Sequence, residues 1–178
     1  MKKQVLIATV LIASGLIISS CKKKDETNPT ITLTGTSPYK VDLGGTYADP
    51  GYTANDNKDG DLKSKVVVTG GSVVTSKVSE YVFKYNDSDD AGNAAAEQTR
   101  TVQVTSDKLA GTYNVSDVVT GTISTTFTYQ AAVTQDASVY NKIYTANFGS
   151  LSMNVKVYGL VSGDTIQIPS QIPISTST

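Results

Sequence analysis

Two acidic loops contain the side chains best suited to hold a metal ion. Asp56, Asp59 and Asp61 lie close together in the first loop, and Asp87 and Asp89 lie in the second. Calcium takes about six to eight oxygen ligands, which carboxylates, Asn amides and backbone carbonyls can supply. If folding brings the two loops together, these five aspartates could form a calcium site. Apart from calcium, the sequence indicates no cofactor.

The same residue types also build ordinary turns. Asp and Asn side chains accept hydrogen bonds from their own backbone, and Gly adopts the backbone angles that tight turns require. Asp59-Gly60 is a common turn pair, and the first loop lacks the glutamate that completes an EF-hand loop. We therefore favour turns for both loops and keep calcium as the alternative.

Aromatic side chains could supply a platform for stacking against a sugar. The chain has ten tyrosines, three phenylalanines and no tryptophan. Tyr140, Tyr144 and Tyr158 lie in the C-terminal part and are the candidate ligand-binding residues. The alternative is that each of these rings packs in the core or at a sheet edge, as most tyrosines do.

Catalytic groups are scarce. The chain has no histidine, which removes the commonest general base and the commonest metal ligand. No nucleophile elbow or histidine-containing metal motif is present. The sequence therefore predicts a protein that is not an enzyme.

The N-terminus has the pattern of an export signal that ends at a cysteine. Lys2 and Lys3 precede an apolar run over residues 5–18, which is shorter than the roughly 20 residues of a membrane-spanning helix. Ser19 and Ser20 then lead to Cys21, the only cysteine of the chain. Residues 18–21 resemble the lipobox of bacterial lipoproteins. The alternative is an uncleaved anchor helix with an incidental cysteine.

The lipobox resemblance implies that residues 1–20 form a helical signal peptide that is removed, and that Cys21 is lipidated. Two or more acyl chains hold a protein stably in a membrane. Lys24-Asp25-Glu26 resembles an export signal of some Gram-negative lipoproteins, which implies an outer-membrane location facing the cell exterior. Residues 21–28 are otherwise polar and are predicted to be a flexible, solvated linker.

Loss of Lys2 and Lys3 with the signal leaves 13 basic and 16 acidic side chains, a net charge of −3. No strongly basic face is present, so the sequence excludes nucleic acid as a partner. The predicted partners are the membrane, through the lipid anchor, and a polysaccharide or a surface protein complex.

Residues 29–106 alternate between apolar and polar side chains in short runs separated by turns. Tyr81, Phe83 and Tyr85 share one strand face, and Arg100, Val102 and Val104 share another. The run at residues 66–68 is predicted to be a short buried strand. This spacing is typical of an antiparallel β-sandwich.

Four ordered motifs in this region carry a family resemblance. They are Pro-Thr-Ile-Thr-Leu at 29–33, Gly-Thr-Tyr-Ala-Asp-Pro-Gly at 45–51, Asp-Asn-Lys-Asp-Gly-Asp-Leu at 56–62 and Asp-Ala-Gly-Asn at 90–93. They resemble the immunoglobulin-like (Ig-like) domain described from a pesticidal crystal protein and found in bacterial surface proteins. The resemblance implies an Ig-like sandwich used for binding or as a spacer. It also implies that the two acidic loops lie at the same end of the sandwich.

Residues 107–178 are predicted to form a second antiparallel β domain. Ile123, Phe127, Tyr129 and Val133 share one face of a long strand, and Leu151, Met153, Val155 and Val157 repeat the pattern. Residues 162–165, Ser-Gly-Asp-Thr, are predicted to form a hairpin turn.

Short motifs at 109–113, 147–149 and 166–171 resemble the C-terminal domain of a group of Gram-negative surface lipoproteins to which glycan binding is attributed. Such domains usually continue with further strands beyond the last motif, whereas this chain ends at Thr178. We therefore expect a domain that is truncated or completed by a partner, with an exposed sheet edge or core face.

Together these features predict an all-β protein: an N-terminal Ig-like antiparallel sandwich followed by a second antiparallel domain. The predicted function is that of a lipid-anchored accessory protein that binds glycans at the cell surface. The alternative is a structural or adhesive Ig-like module that binds another protein.

Overall fold

The computed structural model describes residues 23–122, 124–150, 154–172 and 174–175. In these ranges the chain is all-β, as predicted. No helix in the described part is long and apolar enough to cross a membrane. The predictions for the helical signal peptide, Cys21, Ile123, Leu151 and Met153 lie outside the described residues.

The strands are β1 (Thr30–Leu33), β2 (Tyr39–Asp42), β3 (Tyr52–Asp56), β4 (Gly60–Asp61), β5 (Val67–Thr69), β6 (Ser79–Asn86), β7 (Gln98–Thr105), β8 (Gly111–Val119), β9 (Thr125–Gln135), β10 (Lys142–Ala146), β11 (Val155–Ser162), β12 (Thr165–Gln167) and β13 (Ile174–Ser175). Short 3-10 turns span Lys63–Lys65, Asp107–Leu109 and Phe148–Ser150.

The first seven strands form two sheets that pack on each other. One sheet has the order β1-β3-β4 and the other has the order β2-β7-β6-β5. Buried side chains from both sheets form the core between them: Ile31, Val41, Ala54, Leu62, Phe83, Tyr85 and Val102. The sandwich is therefore confirmed, with one difference from the prediction. β2 runs parallel to β7, pairing Tyr39 with Val102 and Asp42 with Thr105.

Alternation identifies the buried faces of the two longest strands of the sandwich correctly. Phe83 and Tyr85 of β6 are buried, and so are Val102 and Val104 of β7. The run at residues 66–68 is different. Val67 and Val68 lie on the edge strand β5 and are exposed, so the prediction of a buried strand there is wrong. An edge strand has a neighbour on one side only, and three consecutive valines do not reveal that position.

A fully buried arginine ties the two sheets together. The Arg100 guanidinium forms an ion pair with Asp49 and donates hydrogen bonds to the carbonyls of Thr34 (2.7 Å) and Gly51 (2.9 Å). Tyr85 donates to the same Asp49 carboxylate. Burial opposes ionisation of Asp49, but the hydrogen bonds from Tyr85 and Gly51 and the charge of Arg100 lower its pKa below the usual value.

Strands β8 to β13 form one antiparallel sheet with the order β12-β11-β10-β9-β8. β12 pairs with one end of β11, and β13 pairs with the other end. Between them the Gln171 side chain bonds to the backbone N–H and carbonyl of Tyr158, each at 2.8 Å. The predicted hairpin at residues 162–165 is present, because Ser162 pairs with Thr165 across Gly163, whose φ is 59°.

The two regions meet at one end of this sheet. Val78, which precedes β6, forms a β-bridge with Gly163 and packs in a small cluster with Ile143 and Val161. The N–H of Ser106 donates to the carbonyl of Tyr140 at 2.9 Å. These few contacts join the end of the sandwich to the second sheet, close to the Asp107–Leu109 turn.

Candidate functional site

A pocket of about 310 Å³ lies on the apolar face of the second sheet. Its floor consists of side chains that alternate along neighbouring strands, so they point to the same side of the sheet. Among the described residues, no second sheet covers this face. The floor and walls are formed by Val115, Ala131, Val133, Ile143, Thr145, Val157, Gly159, Ile166 and Ile168.

Three aromatic side chains border this pocket: Tyr113 on β8, Tyr129 on β9 and Phe148 in the turn after β10. Tyr113 and Phe148 are exposed. The Tyr129 hydroxyl donates to Oδ2 of Asp117 at 2.7 Å and accepts from the N–H of Gly149 at 3.0 Å. The hydrogen bond to Asp117, followed by burial, raises the pKa of Tyr129 above its usual value.

This arrangement suits a ligand that is partly apolar and partly polar. Small-molecule pockets are usually about 300–1,000 Å³ and apolar, with a few polar groups that fix orientation. Here the polar groups are Asp117, Thr145 and the Tyr129 hydroxyl. A pyranose ring has an apolar C–H face that stacks on aromatic rings and hydroxyl groups that bond to carboxylates.

Two of the three predicted ligand-binding tyrosines lie away from this pocket. Tyr140 packs against the cluster at the junction of the two regions, and burial raises its pKa. The Tyr144 hydroxyl donates to Asp136 at 2.9 Å. Tyr144 lies on β10 between Ile143 and Thr145, which line the pocket, so its ring points to the opposite face.

The third predicted tyrosine, Tyr158, borders the pocket, but its ring is engaged elsewhere. Nζ of Lys142 lies 4.8 Å from the ring centroid of Tyr158 and 4.9 Å from that of Tyr144. Lys142 therefore joins these two rings on the face opposite the pocket by cation–π contacts.

The pocket aromatics carried partial signals in the sequence. Tyr129 lies on the apolar face predicted for the long strand, and Tyr113 and Phe148 lie in two of the short motifs of the C-terminal region. Asp117 gave no such signal, because an aspartate inside a strand reads as an ordinary exposed residue. Asp117 can bond to Tyr129 only because β8 pairs with β9 in a register that places Asp117 opposite Phe127, two residues before Tyr129.

The acidic loops adopt hydrogen-bonded turns. Oδ1 of Asp56 accepts from the N–H groups of Lys58 and Asp59, and Oδ1 of Asp61 accepts from the N–H of Lys63. Asp59 accepts from the N–H of Asp90 at 2.7 Å, so the two loops are in contact.

In the second loop, Oδ1 of Asp87 accepts from the N–H of Ser88. Asp89 accepts from the backbone and the side chain of Asn93.

The five predicted aspartates do not all converge. One oxygen each from Asp25, Asp56 and Asp89 lies within 4.8 Å of the others. Asp59, Asp61 and Asp87 are not part of this group, whereas Asp25 comes from the predicted linker. No sequence pattern singles out Asp25, because its position depends on how residues 23–27 lie on the loops.

Comparisons with known proteins bear mainly on the sandwich. Residues 31–104 match a protein family described as bacterial surface protein, Ig-like domain. Comparison with curated proteins gives no match. The Ig-like assignment of the first region is thereby confirmed, whereas its pesticidal-crystal-protein type and the resemblance of the C-terminal region remain predictions.

Two solved structures share low similarity with the chain. One is the lipoprotein BT2262 from Bacteroides thetaiotaomicron, with 17% identity and a TM-score of 0.42 over 84% of each chain. The other contains CBM51-2 in complex with GlcNAc and INT domains of ZmpB from Clostridium perfringens, with 18% identity and a TM-score of 0.38. That similarity covers 64% of this chain and 30% of the ZmpB chain.

Proposed function

We propose that this protein is a non-catalytic, lipid-anchored protein of the bacterial cell surface that binds a glycan in the pocket of its second sheet. The observation that carries the proposal is the combination of an apolar floor with Tyr113, Tyr129 and Phe148 at its border and Asp117 beside them. The Ig-like sandwich supports this sheet and separates it from the anchor.

The aromatic border supports sugar binding in two ways. Tyr113 and Phe148 are exposed, so their faces can stack on a sugar ring without first leaving a packed core. Tyr129 is held in place by its bonds to Asp117 and Gly149, so little side-chain entropy is lost on binding. The second oxygen of Asp117 can accept a hydrogen bond from a sugar hydroxyl.

A glycan array and affinity electrophoresis in polysaccharide gels test the proposal, using the full-length protein in a mild detergent. Saturable binding to at least one glycan is expected. Tyr113→Ala and Phe148→Ala should each weaken it about ten-fold, which corresponds to roughly 1.4 kcal/mol. Tyr144→Ala is the matched control, because it removes a tyrosine from the opposite face of the same sheet.

Two outcomes would overturn this assignment. The absence of saturable binding across the array would rule out glycan binding as the function. Binding that Tyr113→Ala and Phe148→Ala leave unchanged, in variants with the wild-type circular dichroism spectrum, would move the site away from the pocket.

A protein partner is the second candidate, and one observation favours it. Among the described strands, β8 pairs only with β9, so its other edge is free. Val119 and Phe127 lie on one face near the end of these two strands and are exposed, and Val118 is exposed on the opposite face. A free edge beside apolar side chains can accept a strand from another chain. Val119→Lys would then abolish the interaction, whereas the pocket variants would not.

Lipid anchoring rests on residues 18–21 and is tested separately. Cells that express the chain are labelled with a radioactive fatty acid, and the Cys21→Ser variant serves as the comparison. Label and membrane association should be lost in Cys21→Ser, because the thiol that accepts the acyl group is absent. A labelled, membrane-bound Cys21→Ser variant would show that the anchor is the N-terminal apolar segment instead.

A further inference from the structure

Residues 23–27, which connect the anchor to the sandwich, lie against its acidic loops. Nζ of Lys58 donates to the carbonyl of Lys23 at 3.0 Å, and the Asn57 amide donates to Oγ1 of Thr27 at 3.2 Å. The Asn93 amide reaches the carbonyl of Asp25 at 3.3 Å. The segment therefore follows the end of the sandwich and brings Asp25 to the two loops.

Three carboxylates meet where this segment crosses the loops. One oxygen from each of Asp25, Asp56 and Asp89 lies within 4.8 Å of the other two. The Asp25 side chain is 8% exposed, and Asp89 is 6% exposed. Burying three like charges at this separation is unfavourable unless a cation compensates them. Lys58 supplies one charge, with Nζ 3.6 Å from Asp25.

An unsatisfied oxygen atom provides an independent sign of a ligand. Oδ2 of Asp56 is fully buried and has no hydrogen-bond partner, although Oδ1 of the same carboxylate accepts two. A buried acceptor without a donor costs about 1–3 kcal/mol, and more when it is charged. A cation beside Asp56 would remove this cost.

We propose that Asp25, Asp56 and Asp89 bind a calcium ion that fastens the segment after Cys21 to the end of the Ig-like sandwich. Oxygen-only ligands carried on loops are typical of calcium sites, and softer metals prefer nitrogen or sulfur ligands. Nδ2 of Asn93 donates to the Asp89 carboxylate and to the carbonyl of Asp25. If this side-chain amide is flipped by 180°, its oxygen takes the place of the nitrogen and can serve as a neutral fourth ligand. Water and backbone carbonyls complete the coordination.

Fastening at Asp25 has a direct consequence for the anchor. Only residues 22–24 separate Cys21 from this ligand. This consequence rests on the proposed lipidation of Cys21: with calcium bound, the sandwich is held at a defined orientation close to the lipid. Without it, residues 23–27 keep only their contacts with Asn57, Lys58 and Asn93, and the orientation is less well defined.

Calcium titration of the full-length protein in detergent is the first test. Isothermal titration calorimetry should give one saturable site, with a Kd near the 10⁻⁴–10⁻³ M of extracellular calcium modules, roughly. Calcium at about one hundred times Kd should raise Tm by about 5 °C over the value in EDTA, measured by circular dichroism. No heat of binding and no shift in Tm up to 10 mM calcium, roughly ten times the weakest expected Kd, would overturn the site.

Asparagine variants separate a metal site from a structural role. Asp56→Asn and Asp89→Asn keep the size of the side chain. Asp56→Asn also keeps an oxygen for both turn hydrogen bonds, because both reach Oδ1, whereas Asp89→Asn keeps only one of the two acceptors that bond to Asn93. In EDTA, Asp56→Asn should be at least as stable as the wild type, because a like charge is removed. In calcium both variants should lose the shift in Tm. A full shift in Asp56→Asn would place the ion elsewhere and contradict the proposal.

Asp61→Asn is the matched control, because Asp61 lies in the same loop, caps the N–H of Lys63 and is outside the cluster. It should keep the wild-type shift. Asp25→Asn should weaken binding about ten-fold if the connecting segment supplies a ligand. Calcium should also slow cleavage after Lys24 by endoproteinase Lys-C in the wild type but not in Asp25→Asn. Equal cleavage of the wild type with and without calcium would show that calcium does not hold residues 23–27 on the sandwich.

Discussion

The sandwich and the second sheet are built from similar alternating strands, yet they treat their apolar faces differently. In the sandwich, the sheet β1-β3-β4 packs against β2-β7-β6-β5 and buries Ile31, Tyr85 and Val102. In the second sheet, the corresponding face opens into a pocket, and Ile166 and Ile168 on its wall remain exposed. Alternation shows which face of a strand is apolar, but a second layer decides whether that face becomes a core or a surface.

The difference also appears in how polar groups are used. In the sandwich, Arg100 and Asp49 lie between the sheets and satisfy backbone carbonyls there. In the second sheet, Asp117 and Tyr129 bond to each other at the border of an open pocket. The first pair stabilises a closed structure, whereas the second pair remains within reach of a ligand.

The largest expected effect is in the closed region. Arg100→Ala should lower the free energy of unfolding by about 3 kcal/mol, because it leaves Asp49 and two carbonyls without their buried donor. Urea unfolding followed by circular dichroism measures the change. Asp49→Asn should cost less, since that side chain is one-third exposed and its remaining oxygen can still accept from the N–H of Gly51. If the two variants cost the same, the guanidinium is not what joins the sheets.

A matched pair of isoleucines tests the comparison directly. Ile31 in the core is 4% exposed and Ile166 on the pocket wall is 50% exposed. Ile31→Ala should cost about 3 kcal/mol, because it leaves a cavity in packed surroundings. Ile166→Ala should cost less than about 1 kcal/mol. Equal losses in urea unfolding would mean that the pocket wall is covered in solution, and the contrast between the regions would fail.

A glycine on the pocket floor gives a smaller effect. A Cβ added to Gly159 would lie 2.7 Å from Cγ2 of Ile166, so β12 must shift or Ile166 must change rotamer. Gly159→Ala should therefore cost about 1 kcal/mol and narrow the pocket. Gly121→Ala is the control, since a Cβ there meets no atom. Unchanged stability and unchanged glycan binding in Gly159→Ala would show that the floor adapts freely.

The smallest effect concerns pH. The N–H of Ser138, the Tyr144 hydroxyl and the N–H of Val139 lower the pKa of Asp136 from its usual 3.8 to about 2. A lowered pKa in the folded state adds stability above pH 4, and this stability is lost as the pH falls from 4 to 2. Asp136→Asn should therefore lower Tm slightly at pH 7 and not at pH 2. A difference that persists at pH 2 would mean that the charge of Asp136 is not its source.

The strands and their apolar faces could be predicted from the sequence, but the position of each strand within its sheet could not. Phe83, Tyr85, Val102 and the turn at Gly163 follow from alternation and turn chemistry, which are local. The run of valines wrongly predicts a buried position for Val67 and Val68, because it does not reveal that their strand is at an edge. Local patterns likewise could not show that Phe127 at the start of β9 is half-exposed.

The candidate sites were predicted less completely, for a related reason. The pocket depends on pairing across β8, β9 and β10, which brings Tyr113, Tyr129 and Phe148 together from distant parts of the chain. The acidic cluster depends on Asp25, which reaches the loops only because residues 23–27 lie along them. In both cases the residue types were visible, but their partners were set by tertiary structure.

The parallel pairing of β2 with β7 has a mechanical consequence. Under the proposed function, a membrane anchor precedes β2 in the chain and the ligand-binding sheet follows β7. When a bound ligand is dragged away from the cell, tension pulls β2 toward its start and β7 toward its end. Because the two strands run in the same direction, this load slides them past each other, and their hydrogen bonds must break together. A chain anchored and loaded in this way would bear the force through the parallel pair of β2 and β7.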